Sequence, residues 1–154
     1  MNSMNDSGIV AGLASGQTSH THRLRGLAVT GFIAALAAMV ATTLAAGLAQ
    51  AVGVDFEVPD GGETIPLSGF AVVTGFFSLV GIVIAGALLR WSARPAELFV
   101  WTAVALTAIS FVAPLLSGAT AATTTALLGL HLVPATVMIP TLARSLRTRT
   151  GPSS

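Results

Sequence analysis

The chain has 154 residues, of which 53% are hydrophobic and only 8% charged, and its formal net charge is +1. Soluble domains carry about a quarter charged residues, so this composition excludes an ordinary water-soluble protein, and the small net charge excludes general attraction to nucleic acid. The absence of cysteine excludes disulfides, thiolate catalysis and cysteine metal ligands.

Residues 1–22 form a polar segment that is rich in Ser, Asn, Gly and Thr. Such a segment has little apolar surface to bury, so we predict a disordered cytoplasmic tail. His20 and His22 are candidate metal ligands, but two imidazoles on a disordered segment make a poor metal site. We therefore predict that both histidines are solvated.

Four apolar runs follow, and each can cross a bilayer, whose hydrocarbon core requires about 20 apolar residues in helical form. Lipid offers the backbone no hydrogen-bond partner, so each run must be helical. The sequence therefore predicts an all-α membrane protein. Its transmembrane domain, residues 23–143, is a four-helix antiparallel bundle with spans at about 26–50, 68–89, 97–116 and 122–142.

All seven basic residues are arginines, and all fall on one side of the membrane once the four spans are threaded through it. Basic residues are held on the cytoplasmic side. We therefore expect a multi-pass protein of the bacterial plasma membrane with both termini in the cytoplasm (N-in/C-in). Residues 144–154 then form a basic cytoplasmic tail that lies against anionic headgroups of the lipid bilayer. The arginines are Arg23 and Arg25, then Arg90 and Arg94, and finally Arg144, Arg147 and Arg149.

The first span has a second interpretation as a cleavable secretory signal. Arg23 and Arg25 precede its apolar stretch, and the small residues Ala49 and Ala51 follow it with one residue between them. The apolar core of a signal is usually 7–15 residues long, whereas this stretch is about 24. We favour an uncleaved span, with cleavage as the alternative.

The connection between the first two spans carries four carboxylates and no base: Asp55, Glu57, Asp60 and Glu63. Clustered carboxylates beside Gly61 and Gly62 suggest calcium, but the spacing does not match the twelve-residue calcium loop. Acidic residues also collect wherever basic residues are excluded. We predict no metal and no cofactor.

Small residues recur at every fourth position of the first span and would let helices approach closely. We expect these rows to make contacts within the chain or between copies. The rows are Gly26, Thr30, Ala34, Ala38, Thr42 and Ala46, then Ala37, Ala41, Ala45 and Ala49, with shorter pairs Ala71 and Gly75, and Gly81 and Ala85, in the second span.

His131 is the one ionisable residue deep within a predicted span, about nine residues from the outer end of the fourth. Such residues are costly in lipid and suggest a functional site. Pro134 should free the carbonyl of Leu130 beside it, and Pro140 that of Thr136. We expect His131 to hold two helices together through a hydrogen bond. The alternatives are a proton or ligand site and, least favoured, a catalytic base.

The partners of His131 are expected on the third span. Thr107, Ser110, Pro114 and Ser117 share one helix face there, and depth places Thr107 and Ser110 within reach of the imidazole. These hydroxyls can instead bond back to their own helix. The candidate intramembrane polar site is therefore His131, Ser110, Thr107, Pro134, Pro114 and Pro140.

Two segments carry a resemblance to a known family. They are Ala108-Ile-Ser110-Phe-Val-Ala-Pro114, and Leu130-His131-Leu-Val-Pro134-Ala-Thr-Val-Met-Ile-Pro140. Over about residues 25–144 the chain resembles a family of four-span membrane proteins from actinobacteria that is defined only as a domain of unknown function (DUF). The resemblance implies this fold and location but no activity.

The residues favour a non-enzymatic membrane component that packs with itself or with a membrane protein partner. This prediction rests on the small-residue rows and on the lack of paired acid and base groups inside the spans. The alternative is a small transporter or proton-responsive channel that uses His131.

Overall fold

The computed structural model describes residues 6–57 and 64–150, with side chains described from Thr21 onward. Within this part of the chain, four segments are long and apolar enough to cross a membrane: Thr21–Ala51, Leu67–Trp91, Pro95–Leu116 and Ala121–Thr150. The all-helical, four-span prediction is confirmed. The helices are α1 (Asp6–Ala51), α2 (Leu67–Trp91), α3 (Pro95–Ser110), α4 (Val112–Leu116) and α5 (Ala121–Thr150).

Glycine and proline set the helix ends that the structure describes. After α1, Gly53 takes a left-handed conformation with φ of 88°, and its N–H donates to the Gln50 carbonyl at 3.0 Å. This arrangement closes the carbonyl end of a helix at low steric cost because glycine has no Cβ. Pro66 precedes α2, and Pro95 occupies the first turn of α3, where its missing N–H costs nothing.

The predicted disordered tail differs from the structure. α1 begins at Asp6, so residues 6–22 are helical where the sequence predicted disorder. No proline interrupts residues 6–51, and each residue added to an existing helix gains one hydrogen bond without a new nucleus. α5 likewise continues beyond its apolar run, through residues 144–150 of the predicted basic tail. Residues 1–5 and 151–154 and the side chain of His20 lie outside the described part.

The third span is not one helix but two, α3 and α4, separated at Phe111. Pro114 has no N–H to donate to the Ser110 carbonyl, so the regular ladder is interrupted. The Phe111 N–H donates instead to Ala108 at 3.2 Å, and the Leu115 N–H restarts the helical pattern on the Phe111 carbonyl. The expected span over 97–116 therefore contains a break in its regular helical hydrogen bonding at its outer third.

The first small-residue row of α1 packs inside the bundle. Ala34, Ala38 and Ala46 are fully or almost fully buried. Gly31 shows how close the approach is, since a Cβ there would lie 2.7 Å from Ile82 on α2 and 3.3 Å from Leu142 on α5. α1 therefore packs tightly against two antiparallel neighbours, as small residues allow.

The connection after α1 folds back onto the bundle. Phe56 is completely buried, and its ring meets Phe70 edge-to-face with centroids 4.9 Å apart. The Thr123 hydroxyl at the start of α5 donates to the Asp55 carbonyl at 2.7 Å. Asp60 and Glu63, two of the four carboxylates predicted in this connection, lie outside the described residues.

The two ends of the bundle have opposite charge character. Gly26 near the start of the first span lies beside the Arg149 guanidinium near the end of α5, so both termini emerge at the same end. We call this the basic end, because all seven arginines lie there at the helix ends: Arg23, Arg25, Arg90, Arg94, Arg144, Arg147 and Arg149. Asp55 and Glu57 lie at the opposite end.

Candidate functional site

His131 is half-buried in α5 and is held by its own helix. Its Nδ1 lies 2.7 Å from the carbonyl oxygen of Leu127. A carbonyl can only accept, so this contact requires the proton on Nδ1. In the neutral ring Nε2 then carries a free lone pair, which makes it the side of the imidazole that can receive a hydrogen bond.

The predicted partners on α3 are not bonded to His131. The Thr107 hydroxyl donates to the Ala103 carbonyl at 2.8 Å, and the Ser110 hydroxyl donates to the Thr107 carbonyl at 2.7 Å. Both side chains are half-buried, but each is satisfied within its own helix, as hydroxyls often are. The residue of the third span that meets the imidazole is Phe111, edge-to-face with centroids 6.2 Å apart.

The three prolines of the predicted site act differently. Pro114 is buried and coincides with the break between α3 and α4. Pro134 and Pro140 lie inside α5, which continues past both. Each still removes one backbone donor, so the carbonyls of Leu130 and Thr136 lose their usual partners. Leu130 is buried, which places a carbonyl free for hydrogen bonding one residue before His131.

The sequence analysis did not identify Thr42, one of several buried polar residues, as a site residue. Thr42 of α1 is 3% exposed, and its hydroxyl has no hydrogen-bond partner. Gly31 of α1 faces Leu142 of α5. Helices rise by the same distance per residue. Eleven residues further from the basic end, α1 therefore reaches Thr42 and α5 reaches His131, so these two residues lie at the same depth. The sequence signal for this buried hydroxyl was a threonine within a row of alanines, which the sequence analysis considered only as a small residue.

These interior groups are neutral hydrogen-bonding groups. Thr74 and Ser78 of α2 are also buried. Among the described residues, no group of three His, Asp or Glu side chains is placed to hold a metal ion. The arrangement offers hydroxyls, a carbonyl and one imidazole, which suits polar contacts between helices or with a small polar molecule.

Four apolar spans in an antiparallel bundle, with the basic residues collected at one end, define a multi-pass helical membrane protein. Residues 22–148 match the model of DUF6069, a family of unknown function, and the chain belongs to that family. The predicted membership of a DUF family is confirmed. No curated protein and no solved structure matches the chain.

Proposed function

We propose that this protein is a non-enzymatic component of the bacterial plasma membrane that acts by packing with a second copy of itself. The observation that carries the proposal is the uneven coverage of the four spans. In one apolar stretch of 18 residues in each span, 11% of the residues of the third span are buried inside the bundle, against 28% for the first span and 22% for the second and fourth. This stretch of the third span thus has the most surface left for another helix.

The exposed face of α3 includes three small residues of the kind that helix association in lipid favours. Ala105 lies between Thr102 and Ala108, three residues to either side, and all three are exposed. The other exposed positions of α3 are mostly large, as are those of α1 and α2, such as Phe32 and Phe76, so this short row of small residues is what distinguishes α3. Small residues let two backbones approach, so α3 is the better contact surface.

The orientation and source belong to the same proposal. Seven arginines at one end support a cytoplasmic location for that end and both termini. An actinobacterial source is supported by the family resemblance and by a composition that is rich in alanine and whose seven basic residues are all arginine. A non-catalytic role is supported by the hydroxyls of Thr107 and Ser110, which bond within their own helix rather than to His131.

The test is native mass spectrometry of the tagged protein, extracted gently from its own membranes, as wild type and as Ala105→Leu. We expect a homo-oligomer for the wild type and monomers for the variant, because leucine at the centre of the face separates the backbones. Ala37→Leu, at an exposed position of α1, is the matched control and should stay oligomeric.

A strictly monomeric wild type without a copurifying protein would contradict the proposal. A stoichiometric foreign subunit that Ala105→Leu removes would contradict self-association and would assign the α3 face to a different membrane protein. Oligomers that persist equally in both variants would show that another surface makes the contact.

The second candidate function is a small transporter or proton-responsive channel built on His131. The unpartnered Thr42 hydroxyl at the depth of His131 favours it, because these groups could receive a polar solute together. Reconstituted into liposomes, the wild type should then conduct protons or solute, and His131→Ala should abolish the flux. Flux that is unchanged in His131→Ala would rule this candidate out.

A further inference from the structure

A cleft opens at the basic end, between the first turns of α3 and the last turns of α5. Its volume is about 500 Å³. One part of its lining is cationic and another is apolar. Such a lining is complementary to an amphiphile with an anionic headgroup next to an apolar chain. The lining residues are Ala93, Arg94, Pro95, Ala96, Glu97, Val100, Trp101, Arg147 and Thr150.

The cationic part consists of Arg94 from the start of α3 and Arg147 from the end of α5. Arg94 approaches Glu97 at 3.6 Å, but both side chains are largely exposed, and such a pair is weak. No ion pair of Arg147 forms within the described residues. The cleft therefore holds at least one arginine whose charge is not neutralised.

The start of α3 adds backbone donors to this cleft. Its N-cap residue, Arg94, provides no side-chain cap, and the first N–H to bond within the helix is that of Leu98, at 3.1 Å from the Arg94 carbonyl. The N–H groups of Ala96 and Glu97 are among the first-turn donors that a helix leaves without internal partners. Such donors, with the positive end of the helix dipole, favour an anion.

The apolar part of the cleft points along the membrane span. Val100 and Trp101 continue the lining one to two turns beyond Pro95, and Trp101 is 69% exposed. Tryptophan concentrates at the level of lipid headgroups, with its ring against the acyl region. A soluble phosphate would use the arginines but would leave this apolar wall uncovered.

We propose that the cleft binds the phosphate of an anionic phospholipid between Arg94 and Arg147, with the start of its acyl chains against Trp101. A bidentate guanidinium suits a phosphate, and the two arginines come from different helices. The bound lipid therefore links the ends of α3 and α5.

Trp101 itself can report the binding. In a Trp91→Phe background it is the remaining tryptophan of the chain. The protein is placed in nanodiscs that contain phosphatidylcholine and a small fraction of phosphatidylglycerol, with bromine on the acyl chains of one lipid or the other. We expect brominated phosphatidylglycerol to quench Trp101 more than brominated phosphatidylcholine at the same mole fraction.

The variants separate a site from general surface charge. Arg147→Gln should weaken the preference for phosphatidylglycerol more than about fivefold, because it removes a bidentate contact with the phosphate in addition to the general attraction of about 1 kcal/mol per arginine near the surface. Arg144→Gln makes the same charge change on the same helix outside the cleft lining, and it should lose only the general attraction, which is at most about fivefold. Circular dichroism checks that both variants keep their helices.

Equal quenching by the two lipids, or equal losses in Arg147→Gln and Arg144→Gln, would overturn the proposal. A preference for phosphatidylglycerol that millimolar inorganic phosphate abolishes at constant ionic strength would also overturn it and would indicate a soluble phosphate as the ligand. This readout does not depend on whether the protein self-associates.

Discussion

The first and third spans have similar apolar composition, yet they hold opposite positions in the molecule. α1 packs against α2 and α5, and 28% of the residues in an apolar stretch of 18 residues of its span are buried, whereas the corresponding stretch of the span formed by α3 and α4 has 11% buried. In water the more apolar helix would be the more buried one. In lipid the tails are as apolar as leucine, so hydropathy does not select the central helix.

What separates the two spans is the placement of small residues. On α1 the small residues Ala34, Ala38 and Thr42 form one face that lies against other helices. On α3 the small residues Ala105 and Ala108 lie outward, and the buried side carries the bulky Phe99 beside Ala96. The small-residue face of α1 points inward and makes close contacts with other helices. The small residues of α3 point outward and make no such contacts within the bundle.

The largest expected effect on the free energy of unfolding is at the connection after α1, where Phe56 is buried. Phe56→Ala should lower the free energy of unfolding by about 3 kcal/mol, as expected for an emptied aromatic site. Phe76→Ala, where the ring is 61% exposed, should cost less than about 1 kcal/mol. Denaturation with sodium dodecyl sulfate in mixed micelles measures both. Equal losses would mean that Phe56 is not the anchor of this connection.

The next largest effect is expected when the same substitution, alanine to leucine, is made on each of the two spans. Ala38→Leu, at a position with 0% exposure, should cost about 2 kcal/mol through overpacking. Ala105→Leu should leave the unfolding free energy of the monomer within about 0.5 kcal/mol, since its side chain faces outward. The same micelle titration compares them. Similar costs would remove the distinction between a covered α1 and an open α3.

A smaller effect is expected where α5 holds the connection after α1. Thr123→Val removes the hydroxyl that bonds to the Asp55 carbonyl and should cost about 1 kcal/mol. Thr125→Val is the matched control, because the Thr125 hydroxyl bonds only to the Ala121 carbonyl of its own helix. Hydrogen exchange should speed up at the Ile65 N–H, which donates to Phe56, in the first variant alone.

The smallest effect carries the opposite sign. Thr42→Val replaces an unpartnered buried hydroxyl with a methyl group of the same shape, so it should raise the unfolding free energy by about 0.5 kcal/mol. Thr102→Val on the open face of α3 should change nothing measurable. Destabilisation by Thr42→Val would show that its hydroxyl makes a bond in the membrane, which would strengthen the candidate site at the depth of His131.

The candidate site shows where sequence reasoning stops. His131 and its depth followed from hydropathy, and the break near Pro114 agrees with the chemistry of proline. The partner of the imidazole did not follow, because Ser110 and Thr107 reach the carbonyls of their own helix more easily than a group on another helix. Thr42 was missed because depth along one helix does not reveal which neighbour faces it.

The sequence by itself determined the number of spans and the collection of arginines at one end, since lipid excludes unpaired backbone and charge wherever a helix crosses it. Only the tertiary structure decided which helix is covered, where the connection after α1 is anchored, and that α1 and α5 extend beyond the apolar runs. These features depend on the shapes of side chains that meet across helices, such as Gly31 with Ile82 and Phe56 with Phe70. Hydropathy is nearly blind to such shapes, because in lipid packing rather than apolarity brings helices together.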